Sequence, residues 1–384
     1  MGPRHHGDSA MEPVAVALSG GVDSLRAALL LREMGHEIKG LHMRLLPACP
    51  GGRWPTEEAL EEREGALRNV ASRFGIEVTI IDCRDPFEQM VIKPFLNAYL
   101  GGLTPNPCVT CNPQVKFPVI LREAASLGAR TMATGHYARV LPPDDHSDRY
   151  RLFRGLDAGK DQSYFLFGLT QDQLARTLFP LGVTSKRQVL HWARSMGLER
   201  EIPRESQEIC FIPRGGYREF LVERHPADPD AARGPILDKA GNVLGEHKGL
   251  FAYTIGQRRG LGIASSAPLY VLELDVSANA VRVGSAADLD RLELTASGVN
   301  WVSVMPQEAP LRCSVKIRHQ HQPAPALVTP LSTDRVRVVF DSPQRAVTPG
   351  QAAVFYVGDM LVGGGIIERF RATTPTTSCT GSPH

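Results

Sequence analysis

The 384-residue chain contains no apolar run close to the ~20 residues that a membrane-spanning helix needs. A membrane protein of that kind is excluded. It also has no excess of either charge. Lys and Arg total 43 against 41 Asp and Glu, a net +2, which excludes nucleic-acid binding by bulk charge and excludes an acidic disordered chain. A local basic groove stays open. Cysteine is scarce: seven residues, an odd count, at positions 49, 83, 108, 111, 210, 313 and 379. So thin a scatter does not make a disulfide scaffold, and a reducing, cytoplasmic setting is expected. The polar first ten residues lack the apolar core of a secretory signal. They leave Met1 and Met11 both open as the start. No internal repeat is visible. At ~100–200 residues per domain, the length implies two or three domains.

The first half alternates strand and helix patterns. Val14–Leu18, Glu37–Met43, Ile76–Asp82 and Arg130–Thr134 read as short apolar strands. Helical spacing marks Asp23–Met34, Thr56–Phe74, Phe87–Leu100 and Phe117–Leu127. This alternation predicts an α/β domain with a doubly wound parallel sheet, which places ligands at the carboxyl ends of its strands. Between two of the helices, Gly101–Pro113 carries three prolines, and we expect neither a regular helix nor a central strand there. From Tyr270 to Phe370 the pattern becomes period-two. Strands are expected at Tyr270–Leu274, Ala280–Val283, Arg312–Arg318, Arg335–Phe340, Ala352–Val357 and Leu361–Glu368, with turns that include Asp341-Ser342-Pro343. They predict a small antiparallel β-barrel. The Thr/Ser/Pro-rich residues 372–384 are expected to be disordered.

Ser19-Gly20-Gly21-Val22-Asp23-Ser24 lies between an apolar strand and a helix. Its glycines allow a sharp turn and a close approach of backbone to ligand. The free N–H groups at the start of the following helix make an anion site. Ser19 and Ser24 add hydroxyls, and Asp23 offers a carboxylate for Mg²⁺. The lysine of a Walker loop is absent, and so is a dinucleotide G-x-G-x-x-G. Cys108 and Cys111 form a C-x-x-C that by itself fits a redox pair, half a metal site or coincidence. A structural zinc site has little support, because no second C-x-x-C and no H-x₃₋₅-H follow. Cys210, in Ile209-Cys210-Phe211-Ile212, reads locally as a buried cysteine of an apolar strand.

SGGVDS resembles the loop of the ATP pyrophosphatase (PP-loop) superfamily, whose members adenylate an acceptor oxygen and release PPi. Within it, Thr104-Pro105-Asn106-Pro107 followed by Cys111-Asn112 resembles the T-P-N-P-x-x-x-C-N segment of bacterial tRNA-specific 2-thiouridylases. Further segments match in order: Gly40–Met43, Ala133–Tyr137, Gly155–Leu166, Ile209–Ile212, Leu244–Gly262, Thr348–Tyr356 and Gly363–Glu368. The similarity runs from about Val14 to Phe370.

This resemblance implies ATP-dependent 2-thiolation of the wobble uridine of tRNA. Ala17, Leu18, Ser19, Gly20, Gly21, Val22, Asp23 and Ser24 would bind the phosphates, with Met43 and Gly135 near the adenosine. O2 of uracil would be adenylated, and sulfur would then displace AMP. Cys210 would carry the sulfur as a persulfide and Cys111 would act as the nucleophile, attacking it or closing a disulfide with it. Asn106, Pro107 and Cys108 would meet the target base. Lys160, Asp161, Gln162, Arg318 and His319 would contact tRNA elsewhere, with His319 standing where the family has Tyr. The implied partners are tRNA and a sulfur donor such as a cysteine desulfurase or sulfur-relay protein. The implied cofactors are ATP and Mg²⁺.

The chain departs from the family's better-known pattern at Cys108, where an Asp is proposed as general base. That role cannot be carried over. Three thiols, Cys108, Cys111 and Cys210, instead suit a [4Fe–4S] cluster with one open iron able to hold a hydrosulfide. The cluster is the expectation we favour over the two-cysteine persulfide scheme. The expected domains are a PP-loop ATP pyrophosphatase domain over 13–210, a central tRNA-contacting α+β domain over 211–280, and the barrel over 281–371, with residues 1–12 disordered. Two alternatives remain open at this point: a PP-loop ligase acting on another acceptor, and a tRNA-binding or sulfur-carrying protein without catalysis. A ligase that amidates needs an ammonia source, and no glutaminase-like apparatus is visible. PPi release that requires both ATP and undermodified tRNA separates the three.

Overall fold

The computed structural model describes residues 11–46, 55–145, 147–198, 209–212, 216–224 and 233–370. The tail expected to be disordered and residues 1–10 lie outside these, whereas Met11 and Glu12 open the first strand.

In the first half, β1 (Met11–Ala17), β2 (His36–Arg44), β3 (Glu77–Asp82) and β4 (Thr131–Ala133) are parallel neighbours. A hairpin of β5 (Ala138–Leu141) and β6 (Arg151–Arg154) follows, and β7 (Thr177–Leu178) then returns to the parallel sheet. The order is β3-β2-β1-β4-β7. The central strands β1, at Val14–Val16, and β4, at Met132–Ala133, carry continuous buried apolar runs because helices cover both faces, whereas β2 and β3 are more polar. Leu25, Ala28, Leu29 and Leu31 of the helix Val22–Glu33 pack on one side, and Phe117, Ile120, Leu121 and Ala124 of the helix Phe117–Ser126 on the other. The switch between β1 and β4 opens the crevice that such sheets use for ligands.

The proline-rich segment differs from expectation. Only 101–106 is irregular; Pro107–Cys111 is α-helical, Asn112–Lys116 is a π-turn, and the helix continues to Ser126. Asn106 caps it by accepting the Cys108 N–H at 3.2 Å, and Pro107 sits at the first helical position, where a missing N–H costs nothing. The wider π-turn begins beside Pro113, which absorbs the bond this residue cannot make.

The second half divides in two. β8 (Gly234–Leu237), β9 (Val243–His247), β10 (Tyr270–Asp275) and β11 (Ala280–Gly284) form a four-stranded sheet of order β10-β11-β8-β9. The strands around 270 and 280 thus belong to this central sheet and not to the barrel. The barrel is built from β12 (Asp290–Trp301), β13 (Leu311–Lys316), β14 (Ala324–Ser332), β15 (Arg335–Arg345), β16 (Ala352–Val357) and β17 (Met360–Ile367), and it closes through β12–β17. Sequence patterning missed β12 and β14. Asp341-Ser342-Pro343, expected as a turn, lies inside β15 at a bulge in its pairing with β12, a place where a strand tolerates proline.

The β5–β6 hairpin of the first half hydrogen-bonds to the start of β17, and one buried cluster joins Ala15, Leu41 and Phe117 to Val354, Tyr356 and Leu361. The parallel-sheet half and the barrel therefore share a core. No helix among the described residues is long and apolar enough to cross a membrane.

Candidate active site

Three segments expected at the nucleotide meet at the carboxyl edge of β2-β1-β4. The turn Leu18–Gly21 leaves β1, Met43 lies near the end of β2, and Thr134-Gly135-His136 leaves β4. Gly20 takes φ +85°, a conformation that strains any other residue. Ser24 Oγ donates to the Gly21 carbonyl at 2.9 Å and accepts the Ser19 N–H at 3.1 Å, so the loop is closed on itself. Gly135 must be glycine for a different reason. A Cβ there would stand 2.9 Å from the Ser24 nitrogen, so β4 and the phosphate loop touch backbone to backbone.

Asp23 does not project as a bare carboxylate. Its Oδ2 accepts from Lys186 Nζ at 2.6 Å and its Oδ1 from the Tyr137 hydroxyl at 2.7 Å. Each oxygen accepts one hydrogen bond, so the carboxylate is held in place by Lys186 and Tyr137. Lys186, from the start of the helix Lys186–Ser195, carries no signal in its local sequence; only the fold brings it to the loop.

Cys108, Cys111 and Cys210 are close enough to interact electrostatically. Cys111 is buried in a cluster with Phe87, Phe95, Val115, Phe211 and Phe220. Phe211 is the anchor of its own segment, with ring centroids 5.0 Å from Phe95 and 5.6 Å from Phe220. That anchoring turns the neighbouring Cys210 outward, so Cys210 is an exposed residue of a turn rather than the buried strand cysteine its local sequence implies. Although exposed by area, the Cys210 thiol sits among enough protein atoms for desolvation to push it above its ordinary pKa, and Lys116 opposes the shift. Burial pushes the Cys111 thiol up to about 12 and raises that of Cys108, again opposed by Lys116.

Lys116 was missed by sequence reasoning, and a lysine five residues after Cys111 in a helical run gave only a weak signal. Burial alone would lower its ammonium pKa, but the thiolates of Cys111, Cys210 and Cys108 outweigh that and raise it. It is the cation common to all three thiols. His136 lies close enough to feel it too: burial, aided by Lys116, drives the imidazole down to about 3, so it is neutral. Its Nδ1 shares a 2.7 Å hydrogen bond with Thr134 Oγ1. Asn112 donates to the Phe165 carbonyl at 3.0 Å and is almost fully buried, with its Oδ1 unpartnered among the described residues.

The iron–sulfur expectation meets a geometric obstacle. The three thiols are neighbours, yet among the described residues no three Cys, His, Asp or Glu side chains converge to hold a metal ion. As placed, Cys108, Cys111 and Cys210 do not fit a cluster's ligand set.

The expected tRNA-contacting residues fall into two kinds. Asp161 is buried and its carboxylate accepts from Gly155 and Ser163. Gln162 Oε1 accepts the Tyr137 N–H at 3.0 Å. Lys160 is half-buried beside exposed Ala158 and Gly159, and Arg318 is exposed. His319 lies against Phe165, with ring centroids 4.5 Å apart and planes tilted by 32°. Asn106 and Pro107 form the N-terminal cap and first turn of the helix that carries Cys108 and Cys111.

A Gly- and Ser-rich loop at the carboxyl edge of a parallel sheet, with a closed barrel sharing the same core, is the architecture of a PP-loop enzyme. Comparison with known proteins agrees with that class. Residues 12–214 match the tRNA methyl transferase HUP domain, 218–285 the tRNA methyl transferase PRC-barrel domain, and 291–367 the aminomethyltransferase β-barrel domain. The chain is 47% identical over 360 residues to the tRNA-specific 2-thiouridylase MnmA of Heliobacterium modesticaldum, covering 93% of each chain. It is 47% identical to that of Solibacter usitatus, covering 93% of this chain and 99% of the relative, and 45% identical to that of Geobacter metallireducens, covering 94% and 98%. The chain belongs to the tRNA-specific 2-thiouridylase family.

Proposed function

We propose that the protein is a cytoplasmic, ATP-dependent tRNA-uridine 2-sulfurtransferase acting on the wobble uridine through two cysteines. The observation that carries this reading is a chain of neighbours from loop to thiols: Gly135 lies backbone to backbone against Ser24 of the SGGVDS loop, the adjacent His136 lies in the field of Lys116, and the same Lys116 acts on Cys108, Cys111 and Cys210. The loop N–H groups and serine hydroxyls hold ATP phosphates. Uracil O2 attacks the α-phosphorus and PPi leaves, so O2 becomes part of a good leaving group. The terminal sulfur of a persulfide on Cys210, loaded by an external sulfur donor, attacks C2, and AMP departs. Cys111 thiolate then attacks Cys210 Sγ. The S–S bond breaks with its electron pair going to the sulfur now on C2, and a Cys111–Cys210 disulfide remains for an external dithiol to reduce. Lys116 favours the thiolate at each stage. Exposure suits Cys210 to receive sulfur from a partner, and burial suits Cys111 to react only within the protein.

Asn106, Pro107 and Cys108 are the proposed neighbours of the target base. Lys160, Arg318 and His319 are the proposed outer tRNA contacts, with Asp161 and Gln162 shaping the turn from within. Any Mg²⁺ requirement is assigned to ATP itself. The test is PPi release from ATP with and without an undermodified tRNA bearing a wobble uridine, together with mass spectrometry of the product nucleosides. PPi release that needs tRNA, and 2-thiouridine formation that needs a sulfur donor, are expected. PPi release indifferent to tRNA would overturn the reading.

A further inference from the structure

The phosphate loop is held from outside by two residues, and both are gripped by one short segment, 155–162. Lys186 Nζ and the Tyr137 hydroxyl donate to the two oxygens of Asp23, at 2.6 and 2.7 Å. The backbone N–H of Lys186 donates to Asp157 Oδ2 at 2.8 Å. The backbone N–H of Tyr137 donates to Gln162 Oε1 at 3.0 Å, and its carbonyl accepts from the Gln162 N–H at 2.9 Å. The segment has little slack. A Cβ on Gly155 would stand 2.8 Å from the Tyr137 carbonyl oxygen. The turn 157–160 is closed by the Lys160 N–H on the Asp157 carbonyl and the Gly159 N–H on Asp157 Oδ1. The Asp157 carboxylate therefore has one oxygen on the exposed turn and the other on the residue that grips Asp23.

We propose that Asp157 and Lys186 are positioning residues that transmit docking of tRNA on the 158–162 turn to the phosphate loop, so that tRNA and ATP bind cooperatively. This rests on the proposed function, in which that turn contacts tRNA. The physical ground is continuity: Gly159 N–H to Asp157 Oδ1 at 3.1 Å, Lys186 N–H to Asp157 Oδ2 at 2.8 Å and Lys186 Nζ to Asp23 Oδ2 at 2.6 Å make a path only two side chains long. A load on the exposed turn shifts the Asp157 carboxylate, and with it the helix start that carries Lys186. Cooperativity between ligands is reciprocal, so the same factor must appear from either side.

The experiment measures binding of the α,β-methylene analogue of ATP and of an unmodified tRNA transcript, each alone and each with the other saturating. In the full-length protein each ligand is expected to tighten the other by the same factor, about fivefold or more. Asp157→Ala is expected to bring that factor to within twofold of one while leaving each separate Kd within threefold of wild type. Asp157→Asn, which keeps the turn and one acceptor oxygen, covers the case in which the alanine form does not fold, and its factor is expected to fall part of the way. Both ligands binding wild type without cooperativity, or an unchanged factor in the variants, overturns the proposal and leaves the proposed function standing. Failure of the wild type to bind tRNA at all overturns the function and this proposal together.

Discussion

The side-chain amide of Gln351 donates to the Thr104 carbonyl at 2.8 Å across 247 residues of sequence. Thr104 returns the contact through its N–H to the Pro349 carbonyl at 3.0 Å. The barrel thus holds the T-P-N-P segment that leads into the helix of Cys108 and Cys111. Two motifs far apart in the chain, one in each half, exist partly for each other.

Gly350 sits at that joint with φ +92°, and a Cβ on it would lie 2.9 Å from the Thr104 nitrogen. Gly350→Ala is expected to cost ~1–3 kcal/mol of stability. It should also reduce thiolation at saturating tRNA by about tenfold or more, because the loop proposed to meet the target base is displaced. A thermal melt and single-turnover thiolation measure the two effects. Wild-type values in both would show that the joint has room to spare.

Cys210→Ser is expected to abolish 2-thiouridine formation while tRNA-dependent PPi release remains measurable, since adenylation needs no thiol. Cys108→Ala should remain substantially active in air and hold no iron, because the described side chains do not assemble a three-ligand group. Nucleoside mass spectrometry, PPi release and iron analysis read these outcomes. Visible absorption and stoichiometric iron in wild type, lost together with activity in Cys108→Ala, would restore the cluster.

Lys116→Gln removes the cation that opposes burial at all three thiols. The Cys111 thiol, already at about 12, moves further from physiological pH. Alkylation of the exposed Cys210 thiol, which Lys116 also favours as thiolate, by iodoacetamide at pH 8 is then expected to slow by about three- to tenfold, and thiolation with it. Equal or faster labelling would remove Lys116 from the chemistry.

Asp23→Asn keeps the size of the side chain but takes the charge away from Lys186 Nζ, 2.6 Å distant and largely buried. PPi release is expected to fall by about tenfold or more, because the phosphate loop loses the ion pair that fixes it to Lys186, with tRNA affinity within threefold. A rate within threefold of wild type would remove Asp23 from the mechanism.

His136 gives a pH dependence of stability with a definite sign. Burial lowers its folded pKa from 6.5 to about 3, so the unfolded chain binds the proton more readily. The stabilisation is fully present above pH 6.5 and is lost as pH falls toward 3. His136→Asn should flatten the decline of melting temperature across that window. An unchanged slope would mean that other groups dominate it.

The strands and helices around the parallel sheet were legible in sequence because apolar periodicity and glycine punctuation act locally. So was the phosphate loop, whose glycines and serines are contiguous. The helix at Pro107 was misread because proline content was weighed without the two places where a helix tolerates proline, its first turn and a widened turn. β12 and β14 escaped notice because a closed barrel supplies burial and hydrogen bonds from neighbours that the pattern of a single strand does not record. What the sequence determined by itself was the family, the chemistry of the loop and the identity of the thiols. Tertiary structure alone decided that Lys116 serves three cysteines, that Lys186 and Tyr137 occupy Asp23, that Phe211 turns Cys210 outward, and that the three thiols do not form a metal-binding group. Those relationships depend on distances between side chains remote in sequence, which no periodicity encodes because only packing around a shared core fixes them.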